Sequence, residues 1–223
     1  KTTGWLNWRN IVSFAVKEIF YTLQGEGFYA GRPAVFCRFA GCNLWSGREE
    51  DRQFAKCRFC DTDFLGADES GGTFENAALL AHAICAHFPS YAHAGYKPYV
   101  VLTGGEPALQ VTDELVWELT RHGVQVGMET NGTLALPDGL DWITVSPKAG
   151  TELAVTRGNE LKLVWPQEGI DLQDFEQLEF EHFFLQPRDS ADQAQATEEA
   201  VQTCLKRPLW KLSLQTHKYI GIR

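Results

Sequence analysis

Positive charge is scarce in this chain of 223 residues: 20 Lys and Arg stand against 29 Asp and Glu, for a net charge of −9. A protein that grips duplex nucleic acid needs a basic face to neutralise phosphates. No Lys/Arg cluster of useful length occurs, so nucleic acid is not expected as a direct partner. Long hydrophobic runs are also missing. Nothing approaches the roughly 18 apolar residues that a membrane span needs, so no membrane partner is expected either, although 44% of the residues are hydrophobic, enough for one domain with a sizeable core. Lys1 to Phe14 lacks a continuous apolar core and a small-residue cleavage site, which argues against a signal peptide. Trp5, Leu6 and Trp8 are odd in so polar a leader, and strong patterning starts only near Ala15. Residues 1–14 therefore read as a leader or upstream extension and 15–223 as a single domain, in a cytoplasmic setting. No repeat, low-complexity stretch or Pro/Ser-rich linker divides it.

With no secretion signal and an ample core, the six cysteines are poorly explained as three disulfides. In a reducing compartment, clustered cysteines more often bind metal or do chemistry. Periodicity gives short apolar runs alternating with longer amphipathic ones. Strands are expected over Val16–Leu23, Ala34–Phe39, Tyr99–Leu102, Val124–Met128, Trp142–Val145, Leu161–Val164, Phe183–Leu185 and Leu209–Leu214, and helices over Phe74–Phe88, Thr112–His122, Leu172–Leu178 and Ala194–Lys206. Such alternation implies an α/β fold with a parallel sheet. At 223 residues an open, incomplete (β/α) barrel in a single domain is expected rather than a complete eight-stranded one.

The expected strands end in residues of special type: Thr103-Gly104-Gly105-Glu106-Pro107, Glu129-Thr130-Asn131-Gly132, Ser146-Pro147-Lys148, Gln186-Pro187-Arg188-Asp189 and Gln215-Thr216-His217-Lys218. Each alone reads as an ordinary turn. In parallel α/β folds ligands bind at the carboxyl ends of strands, so five such ends point to one shared site.

Cys42 is followed by 14 residues, then Cys57, two residues and Cys60. The C-x-x-C pair brings two thiolates to one centre, and Cys42 closes the set if Asn43–Lys56 folds back as a loop or short helix. A structural zinc site wants four ligands, and the intervening segment holds neither Cys nor His. Cys37 sits within a strand, and Cys85 and Cys204 within helices. A four-cysteine iron–sulfur cluster lacks its fourth ligand for the same reason. Three thiolates on a four-iron cluster leave one iron open, a reactive design. From spacing alone, zinc and iron–sulfur both stand.

At this point the sequence resembles a known family. Cys57-Arg58-Phe59-Cys60, with its internal aromatic, is similar to radical S-adenosylmethionine (SAM) cluster motifs, and Gly104-Gly105-Glu106-Pro107 is similar to their glycine-rich SAM motif. The 14-residue gap departs from the usual spacing of three residues then two, but resembles a variant in one branch of the 7-carboxy-7-deazaguanine synthase family, which uses an abbreviated barrel. Thr22-Leu23-Gln24-Gly25-Glu26-Gly27, Cys60-Asp61-Thr62, Ser146-Pro147-Lys148 and Gln215-Thr216-His217-Lys218 carry the resemblance, which runs from about Val16 to Arg223.

The resemblance implies that residues 15–223 are a radical SAM catalytic domain with three cofactors: a 4Fe-4S cluster on Cys42, Cys57 and Cys60, SAM, and Mg2+ at Thr62. SAM contacts are expected from Phe59, Cys60, Asp61, Gly104, Gly105, Glu106, Glu129, Asn131, Ser146, Pro147, Lys148, Gln186, Pro187, Arg188 and Asp189. The two glycines would let backbone amides approach the ligand. The implied substrate, 6-carboxy-5,6,7,8-tetrahydropterin, is expected at Leu23, Gln24, Gly25, Glu26, Arg38, Thr103, His217 and the α-carboxylate of Arg223. Arg38 would take a carboxylate or ring acceptors through its fork. The implied reaction is radical ring contraction with loss of ammonia, in queuosine precursor synthesis, by a homodimer served by a flavodoxin- or ferredoxin-like electron donor. Two alternatives remain open: another small radical SAM enzyme such as a glycyl-radical activase, and a zinc-stabilised binding module.

Overall fold

A computed structural model describes residues 13–91 and 93–223. Trp5, Leu6 and Trp8 of the expected leader lie outside the described residues. Phe14, placed at the end of that leader by the sequence reading, already belongs to the domain: it opens the first strand and is buried.

Nine strands form one open sheet: β1 (Phe14–Leu23), β2 (Pro33–Phe39), β3 (Gly72–Phe74), β4 (Tyr99–Gly104), β5 (Gln125–Thr130), β6 (Trp142–Val145), β7 (Arg157–Trp165), β8 (Glu179–Pro187) and β9 (Trp210–Leu212). They are ordered β3-β1-β2-β4-β5-β6-β7-β8-β9. β1 is antiparallel to both β2 and β3, and every other pairing is parallel. The sheet is therefore open, as expected of an incomplete barrel, and among the described residues β3 and β9 are its edges.

Helices cover the outer face. α1 (Ala77–Cys85) and α2 (Asp113–Arg121) pack Leu80, Ile84, Leu115 and Leu119 against Val35, Cys37, Val100, Leu102 and Met128. α3 (Leu172–Glu176) and α4 (Gln193–Lys206) cover a second core built on Val145, Leu161, Leu163 and Leu185. Neither the β5–β6 nor the β6–β7 connection contains a helix, which is how so short a chain makes the turn of a barrel.

The differences from the sequence reading have local causes. The helix expected over Phe74–Phe88 begins only at Ala77, because Asn76 caps it by accepting from the Leu79 N–H at 2.9 Å. Phe74 is instead recruited to β3, where it pairs with Phe14. Thr112, expected as helical, is the cap of α2, followed by Asp113 and Glu114 at its positive end. β7 and β8 run longer than their apolar runs because polar residues extend their ladder pairing from Arg157↔Glu179 to Trp165↔Pro187. The last strand shrinks to Trp210–Leu212, and a short helix α5 (Thr216–Ile220), which periodicity does not show, occupies the Thr216-His217-Lys218 motif.

Candidate active site

Successive side chains of a strand point to opposite faces. The outward residues feed the two apolar cores, and the inward polar ones line a cavity of about 510 Å³ inside the sheet. Four of the five expected strand ends reach it directly: Thr103, Gly104 and Gly105 from β4, Glu129 and Asn131 from β5, Ser146 and Lys148 after β6, and Gln186, Pro187 and Asp189 from β8. The fifth, Gln215, His217 and Lys218, arrives through α5 rather than directly from a strand. Leu23, Gln24, Gly25, Glu26, Arg38, Thr62 and Arg223 line the same cavity.

The 14-residue gap is a small folded unit. A 3-10 helix, Glu49–Phe54, turns the chain, and Lys56 N donates to the Leu44 carbonyl at 3.0 Å to close the loop. Trp45, Ala55 and Phe64 form a private core, with the two rings edge to face at 5.5 Å, and Cys42 and Cys60 pack on it. The Arg52 guanidinium lies over Trp45 at 4.1 Å and donates to the carbonyls of Arg58 and Cys60. Cys42, Cys57, Phe59, Cys60 and Asp61 are thereby presented to the cavity.

The thiols interact. The hydrogen bond from Cys57 brings Cys60 down to about 6, while the same bond, with burial, pushes Cys57 up; burial raises Cys42. Desolvation lowers the Lys148 ammonium against the opposing pull of Cys57 and Cys60, and its Nζ donates to the Ser146 carbonyl and hydroxyl at 2.6 and 2.8 Å. Three soft thiol ligands facing one polar cavity fit an iron–sulfur cluster. A fourth cysteine for structural zinc does not line it: Cys37 is fully buried in β2, and Cys85 and Cys204 sit on α1 and α4. Among the described residues, no three of His, Cys, Asp or Glu are grouped to hold a single metal ion.

Three residues expected at SAM do not line the cavity. Glu106 is fully buried, and its carboxylate turns back into the protein to accept from Ala108 N at 2.9 Å, Thr130 Oγ1 at 2.7 Å and Asn131 N at 2.7 Å. Pro147 is buried between two residues that do face inward. Arg188 points away, with its Nε buried and no partner among the described residues. The glycine pair also has a reason other than ligand approach. A Cβ at Gly105 would stand 2.0 Å from the Gly41 carbonyl oxygen and 3.0 Å from Cys42 Cβ, and Gly104 has φ +130° beside the Phe39 backbone. The amides of Gly105 and Glu106 donate to Phe39 and Gly41. The motif fastens β4 to the strand end that carries Cys42.

Four of the residues expected at the substrate, Gln24, Glu26, Arg38 and Arg223, enter two polar groups, the first of which also takes in Glu129, expected at SAM. In the first, Gln24 Nε2 donates to Glu129 Oε1 at 2.9 Å, Lys162 Nζ meets Glu26 Oε2 at 2.6 Å and Glu129 Oε2 at 3.7 Å, and Gln215 Nε2 donates to Glu26 Oε1 at 3.0 Å. Burial works to raise Glu26, but the Lys162 charge and the bonds from Lys162 and Gln215 hold it below the usual carboxylate range. Gln215 Nε2 also reaches Asp61 Oδ2 at 3.0 Å, and Lys218 ties Asp61 to Asp189 at 2.7 and 2.5 Å, so the α5 segment joins the cysteine loop to this group. In the second, Glu18 accepts from Arg38 Nε at 2.8 Å and from the Arg223 guanidinium. The sequence reading gave the Arg223 α-carboxylate to the substrate. In the structure its main-chain oxygen accepts from Thr22 Oγ1 at 2.8 Å, and the residue lines the cavity.

Lys162 and Glu18 line the cavity and pair with expected residues, although the sequence reading did not name them. Both carried a signal: each is a charge within an apolar strand run, Leu161-Lys162-Leu163 and Val16-Lys17-Glu18-Ile19, as Arg38 is in Cys37-Arg38-Phe39.

An open parallel sheet whose strand ends and three-cysteine loop enclose one cavity places this chain among radical SAM enzymes. No family model matches it. It is 60% identical over 215 residues to the 7-carboxy-7-deazaguanine synthase of Nitratidesulfovibrio vulgaris, covering 95% of this chain and 100% of that one. It is 58% identical over 213 residues to the Bradyrhizobium diazoefficiens protein of the same name (95% and 100% covered) and 43% identical over 208 residues to that of Bacteroides thetaiotaomicron (93% and 98%). The crystal structure of QueE from Escherichia coli matches with a TM-score of 0.68 at 28% identity, over 92% of this chain and 95% of that one. The chain belongs to the 7-carboxy-7-deazaguanine synthase family.

Proposed function

We propose that this chain forms 7-carboxy-7-deazaguanine from 6-carboxy-5,6,7,8-tetrahydropterin with loss of ammonia, on a radical SAM catalytic domain that takes in residues 15–223 and Phe14. The observation that carries the reading is one cavity lined both by Cys42, Cys57 and Cys60 and by Gln24, Glu26, Arg38 and His217. The three cysteines would hold a 4Fe-4S cluster and the strand ends at Gly104, Asn131, Ser146, Lys148 and Gln186 would hold SAM, which together supply a one-electron source and a hydrogen-abstracting radical. The chain's own residues bind and orient. Glu18 occupies Arg38 Nε and so leaves the terminal nitrogens to take the substrate carboxylate as a fork. Glu26 and Glu129, acceptors while ionised, suit the N–H groups of the pterin edge, with Gln24, Thr103 and His217 closing round the ring.

Thr62 lines the cavity beside the cysteine loop. A single hydroxyl is a weak ligand, so a Mg2+ there would keep waters and borrow an oxygen from substrate. We assign the chain a flavodoxin- or ferredoxin-like electron donor, a homodimeric state and a cytoplasmic location. Among the described residues no helix is long and apolar enough to cross a membrane.

The test is anaerobic reconstitution with iron and sulfide, then incubation with reductant, SAM, Mg2+ and the carboxytetrahydropterin. Ammonia and a deazapurine should appear together. A colourless protein holding one zinc would overturn the radical class, and an intact cluster without product would overturn the substrate.

A further inference from the structure

Lys162 sits in mid-strand in β7 between Leu161 and Leu163, whose side chains pack into the core under α3 and α4. Its own side chain points the other way, into the cavity, yet the residue is only 4% exposed. An ammonium taken out of water is tolerated only when paired. Here the partners come from distant parts of the chain: Glu26 lies on the loop after β1, and Glu129 at the end of β5. The second oxygen of each carboxylate is held by another side chain, Gln215 for Glu26 and Gln24 for Glu129. Both carboxylates are thus fixed from two sides, by Lys162 on one oxygen and an amide on the other. The Lys162 charge is directed at the two groups that line the ligand's space.

We propose that Lys162 is a positioning and specificity residue: by clamping Glu26 and Glu129 at the edge of the cavity, it selects a heterocycle edge that presents adjacent N–H donors. This rests on the substrate reading above. The chemistry follows from the donor inventory. An ionised carboxylate only accepts, whereas a protonated one carries a donor of its own and would meet the ring N–H groups donor to donor. Burial acts to raise Glu26, and the Lys162 charge is what most opposes it. Glu160, 3% exposed on the same strand, adds its charge to the cluster but is turned to the Phe28 amide at 3.0 Å, so it is not available to replace either acceptor.

The test is equilibrium binding of 6-carboxy-5,6,7,8-tetrahydropterin to the reconstituted enzyme with SAM and no reductant, from pH 6 to 8.5. Wild type should bind with an affinity that is flat in pH. Lys162→Met should bind about tenfold more weakly at pH 7 and recover affinity as pH rises, because higher pH restores the Glu26 carboxylate that burial alone would protonate, while SAM affinity stays within about twofold of wild type, a tolerance set near the few-tenths-of-a-kcal/mol scatter of independent sites. Glu26→Gln should be weak at every pH, and the double variant should fall below Glu26→Gln by less than the tenfold of Lys162→Met, since both changes remove the Lys162–Glu26 pair while only Lys162→Met also frees Glu129. If K162M does not fold, the double variant decides, because it lacks both charges of the closest pair. Pterin binding by K162M equal to wild type, equal loss of SAM binding, or additive losses in the double variant would each overturn the proposal. Wild type that fails to bind the pterin condemns the substrate reading and not the role of Lys162.

Discussion

Gly25 and His217 touch so closely that a Cβ on residue 25 would stand 2.1 Å from His217 Nδ1 and 2.9 Å from its Cβ. The contact is locked from the other side, because Thr216 N and Oγ1 both donate to the Gly25 carbonyl, at 2.9 and 2.8 Å. Gly25 is thus the surface on which α5 and its histidine are seated. Because His217 Cβ as well as its ring would be met, a rotamer change alone does not relieve the clash. Gly25→Ala should therefore displace His217 and lower kcat/KM for the pterin on the order of a hundredfold, the scale of a 1 Å misplacement. Iron content and cluster absorbance should match wild type. Normal kinetics in the alanine variant would show that the segment gives way without consequence.

Arg38 is aimed by Glu18, which holds its Nε at 2.8 Å and also takes the Arg223 guanidinium. Arg38→Lys keeps the charge but loses the planar fork, so pterin affinity should drop about tenfold or more with the cluster intact. Glu18→Gln leaves the fork and loosens its aim, and the smaller loss should appear in KM. Substrate titrations of the two variants check the order of the effects; equal affinities for R38K and wild type would remove Arg38 from the site.

Cys57→Ala should abolish the cluster, read as loss of bound iron and of visible absorbance after reconstitution. Cys37→Ala should keep it, because that thiol is fully buried in β2 and burial pushes it up, away from the thiolate a ligand must be. A colourless Cys37 variant would reassign the ligand set.

The fold was largely legible because its signals are local. Apolar runs of strand length, Thr112 ahead of an amphipathic stretch, and polar strand ends each depend on a few neighbouring residues. The recruitment of Phe74 to an edge was not legible, since it depends on a partner, Phe14, some 60 positions away; the cap at Asn76 is a local signal, masked by the apolar residues on either side of it. The site was read less evenly. Motifs named segments that reach the cavity but not which side chains in them line it: Glu106, Pro147 and Arg188 lie in those turns and are not part of the lining. Lys162 was missed because a lone charge in a strand announces itself without naming its partners, and those are 136 and 33 positions away.

Glu106 shows what such a residue does instead. One carboxylate oxygen accepts from Ala108 N and Thr130 Oγ1 and the other from Asn131 N, fixing the turn whose Asn131 Nδ2 reaches Asn43 Oδ1 at 2.9 Å, next to Cys42. In Glu106→Gln a single oxygen can serve at most one of those two sets, so an amide hydrogen must face a donor. A buried mismatch of this kind costs about 1–3 kcal/mol, which is on the order of 2–12 °C in melting temperature for a chain of this size. A melting temperature unchanged from wild type would return Glu106 to the list of ligand-binding candidates.

The other half of the domain offers a pH test far from the cysteines. Glu176, at the end of α3, accepts from Arg207 Nη1 at 2.7 Å and from Trp210 Nε1 at 2.8 Å, binding α3 to the start of β9. Burial works to raise its carboxyl, but the two hydrogen bonds and the Arg207 charge prevail and hold it below the usual 4.5. A carboxyl depressed in the folded state binds its proton more readily in the unfolded chain, so its stabilisation is complete above the unfolded value and is lost as pH falls through the folded one. Glu176→Gln should therefore melt roughly 2–4 °C below wild type at pH 7, for a loss of about 1 kcal/mol. The gap should close as pH falls below 4.5, where wild type loses the same charge. Paired melting curves from pH 7 down to about 3.5 measure it. A gap that stays constant or widens toward acid would mean that Glu176 holds α3 through packing and neutral hydrogen bonding, with its charge playing no part.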